Sequence, residues 1–229
     1  MKDSYCKLSS LLKAKSVDYI LDHLKKDFEA SEKKQNVIPS HLDEEKNFLE
    51  LQSRMDNFLL FGETRKNESI LNVLLREMPL SLEEKKILEE WQNDAFSSFF
   101  DVLEITDDWV LLRDIVSETE YEVHLNIDKS GMEIFPKTLI GSFLFSNLAP
   151  VHGIWFFSGI QRIFPPSTER DLFYDFILQQ PPETCYRHNP KKLERAFVLQ
   201  KEHYDIFVSV FNSGLWVLLR KERHYCGNA

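Results

Sequence analysis

Apolar positions recur along this chain at two different periods, and the change of period divides it. Up to about residue 96 the spacing is close to the 3.6 of a helix. Val17, Ile20, Leu21, Leu24 and Phe28 fall on one stripe behind Ser16, which has the chemistry of an N-cap. Asp18, Asp22, Lys25, Lys26 and Glu29 fall on the opposite, solvated face. Pro39-Ser40-His41-Leu42-Asp43 predicts a second helix start, with Ser40 as cap and Asp43 and Glu44 at the positive end of the helix dipole. Its buried stripe is Leu42, Phe48, Leu49, Met55, Phe58 and Leu59, and Gly62 suits a left-handed stop. Asn67 is placed to cap a third helix carrying Ile70, Leu71, Leu74 and Leu75, which Pro79 ends. Ser81-Leu82-Glu83-Glu84 is a capping box for a fourth helix that carries Trp91 and runs to about Phe96.

From residue 99 the period drops to two. Phe99, Asp101, Leu103 and Ile105 alternate with Phe100, Val102 and Glu104. The turn signal Thr106-Asp107-Asp108 sends the chain back through Trp109–Arg113 as a hairpin. After the polar break Ser117–Glu120, Tyr121, Val123 and Leu125 alternate with Glu122, His124 and Asn126. Ser130-Gly131 turns the chain again. Leu139–Phe145 and Ile154–Phe157 complete the set, separated by Ala149-Pro150-Val151-His152-Gly153. About five short strands joined by tight turns predict a small antiparallel sheet over 99–160 that curls on itself, a barrel-like closure that removes exposed edges. Beyond Pro165-Pro166 a short helix bears Leu172, Phe173, Phe176 and Ile177 up to Pro181-Pro182. Asn189-Pro190 pairs a capping residue with proline at the first helical position of a long helix. Its apolar line is Leu193, Phe197, Tyr204, Phe207, Val208 and Phe211. Ser213-Gly214 stops it, and Leu215–Leu219 reads as a last strand.

The pattern predicts an α+β fold: a helical region over 1–96, a β-barrel-like unit over 97–164, and C-terminal helices with a short final strand over 165–229. A shared core would merge the three into one continuous domain.

Several of these segments, Trp91 with Ser98-Phe99-Phe100-Asp101-Val102, Leu111-Leu112-Arg113-Asp114, Tyr121-Glu122-Val123, the Gly141–Pro150 strand and turn, and Gln200–Phe207, resemble uncharacterised bacterial proteins that often carry a SEC-C zinc motif. The resemblance spans roughly 85–215 and implies an architecture without an activity. The SEC-C motif needs a Cys-x-Cys pair and a further Cys-His or Cys-Cys pair. The tail His224-Tyr225-Cys226-Gly227 has one cysteine, so zinc binding by that motif does not carry over.

Composition narrows the classes. The net charge of -9 disfavours non-specific contact with a phosphate backbone, and so counts against nucleic acid as a partner. Three cysteines, Cys6, Cys185 and Cys226, are too few and odd for a disulfide framework and fit a reducing cytoplasm. The first residues lack the apolar run of a signal peptide, and no stretch approaches the ~20 apolar residues of a membrane span. The reading is therefore a soluble, cytoplasmic protein with no membrane partner. Glycine is scarce, with 7 copies, which counts against phosphate-cradling loops, and no Gly-x-Ser-x-Gly elbow occurs.

Four constellations carry candidate chemistry. Cys185 and His188 with His224 and Cys226 supply the donors of a tetrahedral zinc shell if two loops meet; otherwise they are a surface loop and a tail. Asp101, Asp107, Asp108 and Asp114 share one hairpin, where carboxylates bind cations or activate water, or simply form turns and salt bridges. His124, His152 and His203 are acid–base candidates, with His124 expected to face solvent. Phe99, Phe100, Trp109, Trp155, Phe156 and Phe157 form an aromatic strip that stacks nucleobases if exposed and is core if not. The leading functional reading is a non-enzymatic protein–protein interaction or scaffolding module that requires no cofactor. The alternatives are a metal-dependent or hydrolytic enzyme using the Asp101–Asp114 hairpin or the Cys185/His188 loop, and a single-stranded nucleic-acid binder.

Overall fold

The computed structural model describes residues 2–34, 44–125, 136–164, 186 and 189–212, with side chains for 4–33, 50–125, 136–159, 161–164, 186 and 189–202. The Ser40 cap, the Ser130-Gly131 turn, the helix after Pro166 and the strand 215–219 lie outside the described residues. Among the described residues six helices, α1 (Lys2–His23), α2 (Lys25–Lys34), α3 (Glu44–Phe61), α4 (Ile70–Glu77), α5 (Leu82–Asp94) and α6 (Pro190–Asn212), accompany five strands. The strands are β1 (Phe96–Ile105), β2 (Trp109–Asp114), β3 (Glu120–His124), β4 (Phe143–Val151) and β5 (Ile154–Phe164). The fold is α+β. Among the described residues no helix is long and apolar enough to cross a membrane.

The first helix corrects the sequence reading. Ser16 is not a cap: it is fully buried inside α1, and its hydroxyl donates to the Leu12 carbonyl at 2.8 Å. The buried stripe runs Cys6, Ser9, Leu12, Ser16, Ile20 and Leu24, whereas Leu21 is exposed. Two small serines interrupt the stripe and hide its first half from a hydrophobic pattern. Gly62 is also used differently from expectation. Its φ is not in the left-handed region; an added Cβ would lie 2.4 Å from the Phe58 carbonyl oxygen, so the position needs space and not a special dihedral. Asn67 takes the left-handed conformation (φ 60) in the preceding turn, and Ser69 occupies the N-cap of α4. The capping box on α5 forms as expected, with Glu84 N–H donating to Ser81 Oγ at 3.2 Å and Ser81 N–H to Glu84 at 2.6 Å.

The strands close into a barrel-like ring in the order β1-β2-β3-β5-β4. Every neighbouring pair is antiparallel except β3 with β5, which is parallel, so the sheet is mixed and not purely antiparallel. The register of β1 on β2 slips between Val102 and Glu104. This bulge re-phases the strand: Phe96, Ser98, Phe100 and Val102 are buried, then Ile105 in place of Glu104. The β4–β5 hairpin turns on His152-Gly153, both with positive φ (51 and 75), as in a two-residue type I′ turn. Pro150 thus sits inside β4, beyond the Leu148 that pairs with the first residue of β1, where its missing N–H costs no β1 bond.

Two apolar cores share the β4–β5 wall. One fills the ring with Phe96, Phe100, Val110, Leu112, Tyr121, Val123, Leu144 and Leu148. The other joins the N-terminal helices to the outer face of the wall through Ala149, Val151 and Phe156. Trp91 belongs to the second core, is 1% exposed, and donates from Nε1 to the Pro150 carbonyl at 2.9 Å.

Candidate functional site

The alternation of β2 places Val110, Leu112 and Asp114 on the inner face, so Asp114 enters the ring with no exposed surface. A buried carboxylate is costly unless donors surround it. Here they do. Ser98 Oγ donates at 2.9 Å, Ser117 Oγ at 2.8 Å, the Val116 amide at 3.1 Å, and the Tyr186 hydroxyl at 2.6 and 2.5 Å to the two oxygens. Asp101, also buried, accepts from Arg113 at 2.6 Å. Asp107 and Asp108 lie in the β1–β2 turn, which Thr106 organises by accepting from the amides of Asp108 and Trp109. The hairpin carboxylates therefore do not converge. Arg113 ties Asp101 across the strands, and Asp114 is a brace held by three hydroxyls.

Beside that brace, α6 enters. Asn189 caps it, accepting from the Lys192 amide at 3.1 Å, and its Nδ2 donates to the carbonyls of Asn93 and Asp94 at the end of α5. The first turn of α6 thereby brings Lys192 over the Phe96 ring at 3.8 Å and the Tyr121 ring at 4.5 Å, with Nζ donating to the Tyr121 hydroxyl. Burial pushes Lys192 down to about 8, against the opposing pull of Asp114. Burial and the Asp114 charge push the Tyr121 phenol up. Neither Lys192 nor Tyr186 stood out in the sequence. The signal that would have found them is the inward phase of Asp114, which demands donors from outside the hairpin.

A second region follows the β3–β5 seam. That pairing has two registered positions, Val123 with Trp155 and His124 with Phe156. Ahead of them lies an open hollow of ≈ 290 Å³ floored by Tyr121, Ile154 and Trp155 and rimmed by Glu120 and Glu122. Behind them lies a cavity of ≈ 220 Å³ between β5 and α1. His124 lines both. The expectation that His124 faces solvent fails: it is 6% exposed, with the Phe156 ring beside it and α1 residues across the cavity it lines. Its Nε2 donates to Glu122 Oε1 at 2.9 Å. On the floor of the second cavity Lys13 Nζ lies 2.7 Å from Ser158 Oγ and 3.6 Å from Asp56, and burial pushes its pKa down.

The remaining candidates scatter. His152 sits in its turn, 3.5 Å from Glu83 and edge-on to Tyr5. His203 falls on α6 with its side chain outside the described set. Cys185, His188, His224 and Cys226 all lie outside the described residues. Among the described residues no three His, Cys, Asp or Glu side chains gather as metal donors. The aromatic strip does not form one platform. Phe100, Trp155 and Phe157 pack with the ring interior, while Phe156 packs with the helical core. Comparison of the chain with protein-family models, with curated proteins and with solved structures finds no match.

Proposed function

We propose that the protein is an interaction module that takes an extended, basic segment of a partner protein along the β3–β5 seam. The observation that supports this reading is the hollow ahead of the two registered pairs. There Glu120 and Tyr121 of β3 precede the positions registered with β5 among the described residues. A strand edge of this kind accepts main-chain hydrogen bonds from an added segment. The side chains around it supply selectivity: Glu120 and Glu122 are exposed at the rim, and the half-buried Ile154 and Trp155 offer apolar surface beside them. With a chain charge of -9 behind it, the hollow favours lysine and arginine and repels phosphate backbones. The enzyme alternative loses support because Asp101 and Asp114 are already engaged by Arg113 and by hydroxyls.

The test is selection from a randomised peptide display library, followed by titration of the selected peptides against the charge-reversed variants Glu120→Lys and Glu122→Lys. Selected peptides are expected to be net basic, to bind more weakly as salt rises, and to lose about tenfold in affinity with either reversal, a change of ~1.4 kcal/mol. Selection of neutral or acidic peptides, or binding that survives both reversals, would overturn the reading. So would a single-stranded oligonucleotide that binds in the same hollow.

A further inference from the structure

Lys192 sets a primary amine on an aromatic cluster, and the docking reading gives that amine no task. The cluster is Phe96, Tyr121 and Trp155, with centroids 5.3, 5.8 and 5.2 Å apart in the three pairs. Nζ lies over two of the rings, 3.8 Å from the centre of Phe96 and 4.5 Å from that of Tyr121, and the Tyr186 ring stands at 6.0 Å. Phe96 and Tyr121 are buried, whereas Lys192 is half-buried and keeps a face toward solvent. Its position is fixed from the backbone: Asn189 accepts from the Lys192 amide and donates to the carbonyls that end α5. Nζ bonds a neutral group, the Tyr121 hydroxyl. An amine placed this way loses water without gaining a carboxylate, which favours the free base. Burial accordingly lowers Lys192 to about 8, so near neutrality part of it carries the lone pair that attacks a carbonyl carbon. The phenol beside it moves the other way. Burial and the Asp114 charge push Tyr121 up, so it keeps its proton. An amine that sheds its proton and an acid that holds its own, in contact, are the two groups imine formation needs.

We propose that Lys192 captures a small, uncharged aldehyde as an imine, with Tyr121 as its acid. The Nζ lone pair attacks the carbonyl carbon, and a proton passes from nitrogen to the former carbonyl oxygen, giving a carbinolamine. Tyr121 then gives its proton to that hydroxyl. The C–O bond breaks, water leaves, and the nitrogen lone pair closes the C=N bond. The product is a protonated imine, the phenolate regains its proton from solvent, and nothing is oxidised or reduced. The imine keeps its positive charge over the Phe96 and Tyr121 rings, as the ammonium did. The rings favour an apolar body on the aldehyde, and the fields of Asp114 and Asp94 disfavour an anionic one. Those two carboxylates, from β2 and α5, favour the charged amine, and Arg195 of α6 opposes it; Tyr121 of β3 and Tyr186 are the phenols beside it. Lys192 is the nucleophile, Tyr121 the acid, and Asn189 a positioning residue.

The experiment uses the full chain, benzaldehyde as the probe, and cyanoborohydride to fix each imine as a benzylamine. Peptide mapping reads the label at every lysine, with Lys192→Arg as the blank. An ordinary lysine titrates near ~10.4 and is almost wholly ammonium at pH 7. Folded Lys192 is expected to be labelled about tenfold faster than the median lysine at pH 7. That excess is expected to vanish in urea and to narrow toward pH 10, where the other amines lose their protons. Tyr121→Phe keeps the ring and removes the acid. It is expected to slow benzaldehyde capture at Lys192 about tenfold. Acetylation of Lys192 by an active ester, which needs the free amine and no acid, should stay within about twofold in the same variant. Lys192 labelled no faster than the median lysine in the folded chain would sink the proposal, and so would a Tyr121→Phe variant that slows both reactions alike or neither. If Tyr121→Phe does not fold, the ratio of folded to urea-unfolded labelling at Lys192 decides. Every rate is read with no peptide present, so the outcome does not depend on whether the hollow docks one.

Discussion

Lys192 carries a positive charge 3.8 Å from the centre of the Phe96 ring and bonded to the Tyr121 hydroxyl, and that placement leaves a mark on stability against pH. Burial lowers its pKa from 10.5 to about 8. Between those values the unfolded chain holds a proton that the folded chain has shed, so stability rises with pH across the window. Lys13, also pushed down by burial, acts in the same direction. Tyr121 acts in the opposite one. Its phenol is pushed up by burial, so above pH 10 the unfolded chain ionises first and stability falls. The urea midpoint is therefore expected to climb from pH 8 to about 10 and to drop beyond it. Lys192→Met should flatten most of the climb and leave the share due to Lys13. A wild-type midpoint that stays level between pH 8 and 10, or an equal climb in Lys192→Met, would show that Lys192 is not desolvated in the folded chain.

At the scale of elements, Gly62 separates two reasons for ending a helix with glycine. A left-handed stop tolerates asparagine, because asparagine accepts positive φ. A steric stop does not, because any Cβ meets the same carbonyl. The Phe58 carbonyl oxygen, 2.4 Å from an added Cβ, is backbone, and it already accepts from the Gly62 amide at 2.9 Å, so it has little freedom to move. Gly62→Ala and Gly62→Asn are thus both expected to destabilise by about 1–3 kcal/mol, as overpacking does. A neutral Gly62→Asn in thermal or urea unfolding would restore the left-handed reading. The case shows what was legible in the chain. The glycine marks the end of α3 in sequence, but its reason depends on a ring and a carbonyl one turn back. Likewise the capping box on α5, the Asn189 cap on α6 and the turn at Thr106 are local chemistry and read directly. The inner face of β1 was misread past Val102 because a bulge leaves no mark on a two-residue period. The burial of His124 escapes the pattern because the Phe156 ring beside it and the α1 residues across its cavity come from distant parts of the chain. Two of the Asp114 donors, Ser98 and Tyr186, escape it because they reach the carboxylate only once the ring closes; Ser117 is a local donor three residues on.

Across the whole molecule the question is whether the helices and the strand ring unfold together. They share the β4–β5 wall: Leu148 packs into the ring, while Ala149 and Val151, on the same strand, pack against the helices. Trp91 of α5 is, among the described residues, the largest fully buried side chain, and its indole N–H reaches across to bond the Pro150 carbonyl of β4. Truncating a buried tryptophan to alanine costs about 3–5 kcal/mol through lost transfer energy and the cavity left behind. That is a large share of the ~5–15 kcal/mol that holds an ordinary domain together. Trp91→Ala is therefore expected to lower the urea midpoint sharply. Trp91→Phe, which keeps most of the ring but leaves the Pro150 carbonyl without its donor, should cost less, about 1–3 kcal/mol. If the wall couples the two cores, helix content followed by far-ultraviolet dichroism and the fluorescence of the remaining tryptophans should fall in one coincident transition, in the wild type and in both variants. Two separated transitions in the wild type, or a midpoint indifferent to Trp91→Ala, would mean that the helices and the ring hold themselves up separately and that the wall is a contact between two units and not a common core.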